Sequence, residues 1–160
     1  MLQPLRQGLP PMDLASVSDA ASCALPARYE AVREARRFTR VTLDTWELGD
    51  RFDDVCLVVS ELVTNALRHA MPAVPGPRPC EQAPAVRLHL MHWSERLVCA
   101  VRDPSQDSPV AREDTEDFSA ESGRGLFLVD SFSDSWGWHP LAGTLGGKVV
   151  WALFRLRPAG

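Results

Sequence analysis

Apolar residues recur at helical spacing in two segments of the first half of the chain. The first segment predicts a helix from about Tyr29 to Thr42, because its apolar residues gather into one stripe. The stripe residues are Val32, Ala35, Phe38 and Val41. The second segment predicts a helix from Arg51 to about Ala70, and Asp50, just before it, is the candidate N-cap residue.

Apolar runs in the second half of the chain predict strands. The runs from Ala85 to Trp93 and from Arg96 to Val101 flank a tight turn, so we expect an antiparallel hairpin. Two further strands are expected near 134–139 and 148–156. A short helix is predicted between the hairpin and these strands, from about Gly125 to Ser131.

Three stretches have the composition of irregular structure. Residues 1–20 contain three prolines and no clean period, and we expect a flexible N-terminal tail before one domain at 21–160. Residues 72–84 contain five prolines and predict a loop. Residues 103–122 are polar and are also expected to be irregular. After the tail, the stretch from Ser22 to Pro26 predicts a short edge strand that its proline ends.

The order of these elements indicates the fold class. Helices come early, strands pair late, and no βαβ alternation is present. We therefore expect an α+β fold, a two-layer α/β sandwich with a mixed, mostly antiparallel sheet covered by helices on one face. No GxGxxG motif follows a first strand, which argues against a Rossmann domain.

Composition narrows the class of protein. The chain has 160 residues, enough for one domain with a full core, and its net charge of -4 argues against a nucleic-acid binder. No apolar run approaches the roughly 20 residues of a membrane span. We see no signal peptide, so a cytoplasmic protein is expected. The four cysteines form no CxxC pair, which argues against a zinc or redox site.

The second predicted helix carries the first candidate site. Glu61 and Asn65 are four residues apart, so their side chains lie one above the other, on the face opposite Val59 and Leu62. A carboxylate beside a carboxamide suits a site that holds Mg²⁺ and a hydroxyl or water nucleophile. A solvated polar face of an amphipathic helix explains the same pattern, and from this helix alone it is the stronger interpretation.

A second candidate is the run Gly123-Arg124-Gly125 before the predicted short helix. Two glycines in front of a helix can expose consecutive backbone N–H groups, and the positive helix end favours a phosphate. Arg124 could add a charge-assisted contact to a phosphate oxygen. A plain loop-to-helix turn is the alternative, since a lone GxG is a weak signal.

The third candidate is Asp103, just after the strand predicted to end at Val101. A carboxylate at a strand end can accept a hydrogen bond from an exocyclic amine such as that of adenine. The alternative is a turn-initiating aspartate before Pro104, which is the better interpretation of this position alone.

The order and spacing of the three candidates resemble the ATP-binding boxes of the gyrase, chaperone, histidine-kinase and mismatch-repair (GHKL) superfamily. Within it, the chain most resembles the bacterial anti-sigma factors that are also serine/threonine protein kinases, of the actinobacterial type. The resemblance rests on the runs ELVTNALRHA and GRGLFLVDSFSDSWG, followed by GGKVVWALF, and covers roughly residues 25–157.

This resemblance implies a role for each candidate residue. Glu61 would be the general base and Asn65 the Mg²⁺ ligand. Asp103 would read the adenine amino group. The phosphates would be held by the glycine-rich run, with Gly123, Arg124 and Gly125. Residues 104–122 would form the ATP lid.

The resemblance also implies cofactors and partners. ATP and Mg²⁺ would be bound, and the partners would be a sigma factor and an anti-anti-sigma protein of the STAS type. A homodimer is expected because family members pair, with the edge strand from Ser22 to Pro26 as the candidate interface. No nucleic acid and no membrane is expected to bind directly.

One departure from the family pattern keeps a second function open. The box that begins with the base-reading aspartate commonly reads DxGxG, and here Asp103-Pro104-Ser105-Gln106-Asp107 has neither glycine. The alternative is therefore a partner-binding module of the same fold that is catalytically inactive or binds nucleotide weakly. An ATPase fragment of a larger machine such as a chaperone fits the short lid less well.

Overall fold

The structure, a computed structural model, describes residues 6–7, 19–26, 28–70, 86–93, 95–104, 119–141 and 147–156. The predicted loop at 72–84 lies outside the described residues, and so does most of the predicted lid.

Helices α1 (Glu30–Thr45) and α2 (Phe52–Ala70) confirm the two helices that periodicity predicts. The buried face of α1 differs in part from the expected stripe, because Val41 is 59% exposed. A strict three-residue spacing drifts by about 60° at each step, so Val41 lies on the opposite side of the helix from Val32. The residues that α1 buries instead are Ala31, Ala35, Thr39, Thr42 and Leu43.

The connection from α1 to α2 is short and ordered by backbone hydrogen bonds. Leu48 N–H donates to the Leu43 carbonyl at 2.7 Å, and Glu47 has a positive φ of 59°. A 3₁₀ turn at Gly49–Arg51 then runs directly into α2. Asp50 lies within this turn, so the prediction that it is the N-cap of the second helix is wrong: the helical path already begins at Gly49.

Within the part of the chain that the structure describes, six strands form one sheet. They are β1 (Arg6–Gln7), β2 (Asp19–Leu25), β3 (Val86–Trp93), β4 (Arg96–Asp103), β5 (Ser135–Pro140) and β6 (Lys148–Arg155), in the order β1-β5-β6-β4-β3-β2. All neighbouring pairs are antiparallel except β1 with β5, which is parallel. The mixed, mostly antiparallel sheet is confirmed.

The strand boundaries refine the expected ones. The β3–β4 hairpin is confirmed, with Trp93 opposite Arg96. Strand β4 continues to Asp103, two residues past the predicted end, because its last residues pair with β6. The expected edge strand is β2, which lies at the end of the sheet and begins at Asp19. Residues 6–7 and 19–20, within the predicted tail, are therefore strand residues.

Helix α3 (Ser119–Phe132) connects β4 to β5 and begins earlier than predicted. The three helices lie on one face of the sheet. The main core joins residues from all three helices to alternate residues of β3, β4 and β6, such as Leu88, Leu97 and Phe154. On the other face, the described residues form a smaller cluster that contains strand residues alone, including Trp93 and Trp151. This is the predicted two-layer α+β sandwich.

No described helix is long and apolar enough to cross a membrane. Cys23, Cys56 and Cys99 are free thiols, and burial raises the pKa of the Cys99 thiol to about 12, so it stays protonated.

Candidate functional site

Asp103 and Lys148 form a buried ion pair where β4 ends and β6 begins. The ammonium Nζ of Lys148 donates to Oδ1 of Asp103 at 3.1 Å, and the side chains are 0% and 1% exposed respectively. The two residues are direct partners in the β4–β6 ladder. Asp103 is therefore the last residue of a strand, held by a cross-strand partner, and not simply the first residue of a turn.

The pair lies on the face of the sheet that the helices cover. Along β4, Leu97, Cys99 and Val101 belong to the main core, and Asp103 continues the same two-residue alternation. Along β6, Val150 belongs to the main core, and Lys148, two residues before it, lies on the same face of the sheet. Helix α2 packs against β4 and, over a smaller area, against β6. The ion pair is thus enclosed between the sheet and the helical layer.

Gly147 lets the backbone of β6 approach the end of β4 closely. It has a φ of +92°, and a Cβ at this position would lie 2.3 Å from the carbonyl oxygen of Asp103. Only glycine combines this conformation with this contact. The glycine that permits a close approach at Asp103 therefore lies across the ladder, whereas the family pattern places glycines just after the aspartate.

Helix α2 presents the Glu61–Asn65 pair on its more polar side. Glu61 and Asn65 are half-buried and Arg68 is exposed, while Leu62 and Ala66 face the core. The predicted division of the helix into two faces is confirmed. Glu61 and Asn65 are not fully solvated, because α2 packs between α1 and α3. A carboxylate and a carboxamide in this setting can accept a proton and bind a cation.

The glycine-rich run has a different backbone from the one expected. Gly123, Arg124 and Gly125 lie inside α3, four to six residues after its start at Ser119. In an α-helix the N–H groups of Gly123 and Gly125 bond to the carbonyls four residues earlier, so they are not presented to an anion. The expected loop-to-helix junction at 123–125 is therefore wrong for this conformation. The residues Ser-Ala-Glu-Ser at 119–122 form a helical first turn, which extends a helix anchored by the buried Leu126 and Val129.

The side chains available as metal ligands determine how a magnesium ion could bind. Among the residues that the structure describes, no three His, Cys, Asp or Glu side chains come together as metal ligands. Asn65 offers one hard oxygen ligand, and Mg²⁺ commonly takes one or two protein ligands together with water and phosphate oxygens. These residues fit a metal that arrives with a nucleotide, and they do not form a metal cage by themselves.

Sequence reasoning missed Lys148 and Gly147. A lysine at the start of the apolar run KVVWALF is the one signal in the sequence, since a charged residue on the core-facing side of a strand needs a partner. The partner is 45 residues away in the chain, and only the strand register identifies it.

A family model described as the histidine kinase-like ATPase domain matches residues 25–153, a range that includes Glu61, Asn65, Asp103, the glycine-rich run and Lys148. No curated protein matches.

Two solved structures have a similar fold. One contains the RsbU and RsbW domains of Rv1364c from Mycobacterium tuberculosis, with a TM-score of 0.57 and 19% identity over 89% of this chain and 34% of that one. The chain therefore spans about a third of the length of this relative. The other is the SiaB–SiaC complex from Pseudomonas aeruginosa, with a TM-score of 0.56 and 12% identity over 87% of this chain and 90% of the matched chain. At these identities the likeness shows the fold alone.

Proposed function

Since the chain belongs to the histidine kinase-like ATPase domain family, we propose that it is a cytoplasmic ATP-binding anti-sigma factor with serine protein kinase activity towards an anti-anti-sigma antagonist. The observation that carries the nucleotide site is the placement of Asp103. Its carboxylate is buried at the end of β4, on the face that the helices cover. A purine bound to this carboxylate would be held away from water. In the family that the chain resembles, this aspartate reads the adenine amino group.

The phosphates of the nucleotide would extend towards α3 and α2. The N-terminal end of α3 carries unsatisfied backbone N–H groups and a partial positive charge, which favour an anion. Gly123 and Gly125 give this segment the freedom to unwind and direct further N–H groups at the phosphates, with Arg124 adding a positive charge. Asn65 on α2 would hold the Mg²⁺ ion that the nucleotide brings.

Phosphoryl transfer would use Glu61 as the general base. Its carboxylate accepts the proton of the antagonist's serine hydroxyl, the serine oxygen forms a bond to the γ-phosphorus, and the bond from that phosphorus to the bridging oxygen of ADP breaks. Magnesium, when bound, offsets the negative charge of the phosphates. The chain's own contribution is then to orient the nucleotide and the serine and to hold the proton on Glu61.

Partner binding is the regulatory half of the proposal. The partners are a sigma factor and an antagonist of the STAS type. The similarity to a chain of the SiaB–SiaC complex supports the idea that this fold binds a protein partner. A homodimer would form through β2, the strand at one edge of the sheet, whose Asp19, Ala20, Ser22 and Ala24 are exposed.

A second function is favoured by two specific observations. The DxGxG glycines are missing after Asp103, and the glycine-rich run is helical in this conformation. A module that binds its partner without transferring phosphate, and binds nucleotide weakly or not at all, would show the same two features. The two functions differ in whether MgATP is bound and whether phosphate reaches the antagonist.

Calorimetric titration separates the two functions. The full chain is titrated with ATP and ADP, with and without Mg²⁺, beside Asn65→Ala. The proposal expects magnesium-dependent binding that Asn65→Ala removes, with Ser60→Ala on the same helix as the matched control that keeps it. Absence of ATP binding in the unmodified chain would support the partner-binding module. Where ATP binds, phosphate transfer to a cognate antagonist should be lost in Glu61→Gln, and unchanged transfer would show that Glu61 is not the base.

A further inference from the structure

We propose that Lys148 is a second base-reading residue, which donates a hydrogen bond from its ammonium group to N1 of adenine while Asp103 accepts one from the 6-amino group. The inference rests on the proposed ATP site and adds to it a residue that selects the base. It follows from the burial of the Asp103–Lys148 pair, from the distance between the two groups, and from the backbone that holds them.

A purely structural role accounts poorly for the pair. Both side chains are at most 1% exposed, and taking two charges out of water costs about as much as their attraction returns. Val150, Ala152 and Phe154 fill the same face of β6 with apolar side chains. Apolar residues at both 103 and 148 would extend that core without any desolvation cost. The pair of charges is therefore better explained by chemistry than by stability.

The geometry of the pair matches one edge of adenine. Nζ and Oδ1 lie 3.1 Å apart, so a charged donor lies directly beside a charged acceptor. The 6-amino group of adenine is a donor, and its ring neighbour N1 is an acceptor. Two parallel hydrogen bonds can therefore form, in the way that paired donor and acceptor groups read base edges elsewhere. A carboxylate has about four acceptor positions and an ammonium three donors, so both groups can bind the base while they remain paired.

The same pair disfavours guanine in this orientation. Guanine has a carbonyl oxygen at position 6 and an N–H at position 1, so the acceptor of Asp103 would face an acceptor and the donor of Lys148 a donor. Specificity of this kind, from mismatched buried polar groups, is stronger than that from the shape of an apolar pocket. With Lys148, the site reads two positions of the base, N1 and the 6-amino group, whereas Asp103 alone reads one.

The backbone fixes Lys148 in this position. Asp103 and Lys148 are ladder partners on two neighbouring strands, and Gly147 holds the β6 backbone against the carbonyl of Asp103. Sites built on strands are held more exactly than sites on loops. The donor is thus placed before any nucleotide arrives.

The test compares ATP with 1-deaza-ATP, in which N1 is replaced by C–H, by calorimetric titration of the full chain with Mg²⁺. This analogue keeps the 6-amino group and the triphosphate, and it removes only the acceptor that Lys148 would contact. We expect the analogue to bind about 10- to 100-fold more weakly, the range for a hydrogen bond to a charged group. Equal affinities for the two nucleotides would overturn the inference while leaving the ATP site intact. If the chain binds neither nucleotide, the proposed ATP site fails, and the inference fails with it.

Variants then assign the effect to Lys148. Lys148→Met keeps the length of the side chain and removes the donor, so ATP and 1-deaza-ATP should bind with equal affinity. If Lys148→Met does not fold, Lys148→Gln keeps a neutral donor near Asp103 and should reduce the difference between the two nucleotides. A difference as large as in the unmodified chain, in either folded variant, would show that another group reads N1.

Discussion

Gly147 and Asp103 approach each other so closely that no other residue fits at position 147. A Cβ there would lie 2.3 Å from the Asp103 carbonyl oxygen, and the φ of Gly147 is +92°. The main chain at the end of β4 is therefore set by the residue that directly precedes β6. This contact ties the stability of the sheet to the position of the candidate base-reading carboxylate.

Gly147→Ala should destabilise the protein by about 1–3 kcal/mol, the cost of a strained backbone conformation at one residue. It should also weaken ATP binding, because the ladder must shift at Asp103. Urea denaturation and calorimetric titration measure the two effects. Gly49→Ala is the matched control: its Cβ would meet only the flexible carboxylate of Asp44, at 2.9 Å, and its φ is not positive. If Gly147→Ala and Gly49→Ala had the same stability and the same ATP affinity, the close approach at Asp103 would not account for the need for glycine at position 147.

The helical conformation of the glycine-rich run leads to a second prediction, in which one substitution increases stability and weakens ATP binding. Gly123 lies within α3, so Gly123→Ala should raise the free energy of unfolding by up to about 1 kcal/mol through helix propensity. If the run must unwind to hold phosphates, the same substitution should weaken ATP binding.

Denaturant unfolding and ATP titration of Gly123→Ala give the two readouts. Ser131→Ala, an exposed position near the other end of α3, is the control that should leave ATP affinity unchanged. A Gly123→Ala variant that is more stable and binds ATP as tightly as the unmodified chain would show that the phosphates contact α3 in its helical form.

These features show what the sequence could and could not predict. The faces of α2 and the β3–β4 hairpin follow from local periodicity and a tight turn, so both were predicted. The ion pair of Asp103 with Lys148 depends on the register of two strands separated by α3 and β5, and no local pattern encodes it. The sequence predicts too late a start for α3, because two glycines lower the local helix propensity. The packing of Leu126 and Val129 in the core outweighs that cost.

His89 gives a pH-dependent prediction. It lies on β3, on the same side of the strand as Arg87. Burial, and then the positive charges of Arg87 and Arg102, hold the pKa of His89 below its ordinary value of 6.5. The unfolded chain therefore binds a proton at higher pH than the folded one. His89 should favour the folded state fully at neutral pH and oppose it as pH falls through 6.5 and below.

The measurement is the urea midpoint between pH 7.5 and pH 5 for the unmodified chain and for His89→Gln. The variant should lose less stability over this range, since glutamine does not titrate. An identical pH dependence in His89→Gln and the unmodified chain would contradict the assignment.

Variants of the Asp103–Lys148 pair separate its contribution to stability from its contribution to ATP binding. Asp103→Ala leaves the fully buried ammonium of Lys148 without its carboxylate, and such a loss costs about 3–5 kcal/mol. Replacing both groups by apolar residues, in Asp103→Leu with Lys148→Met, removes the charges together and should restore most of that stability. Urea denaturation of the single and double variants measures the recovery.

ATP titration of the same double variant completes the argument. If the pair exists to read the base, the double variant should be folded and stable and yet bind ATP much more weakly than the unmodified chain. The matched control is Val101→Leu with Val150→Ile, a pair two ladder positions away on the same face, which should leave ATP binding nearly unchanged. A stable double variant that binds ATP normally would mean that Asp103 and Lys148 serve the fold alone, and that the adenine is read elsewhere.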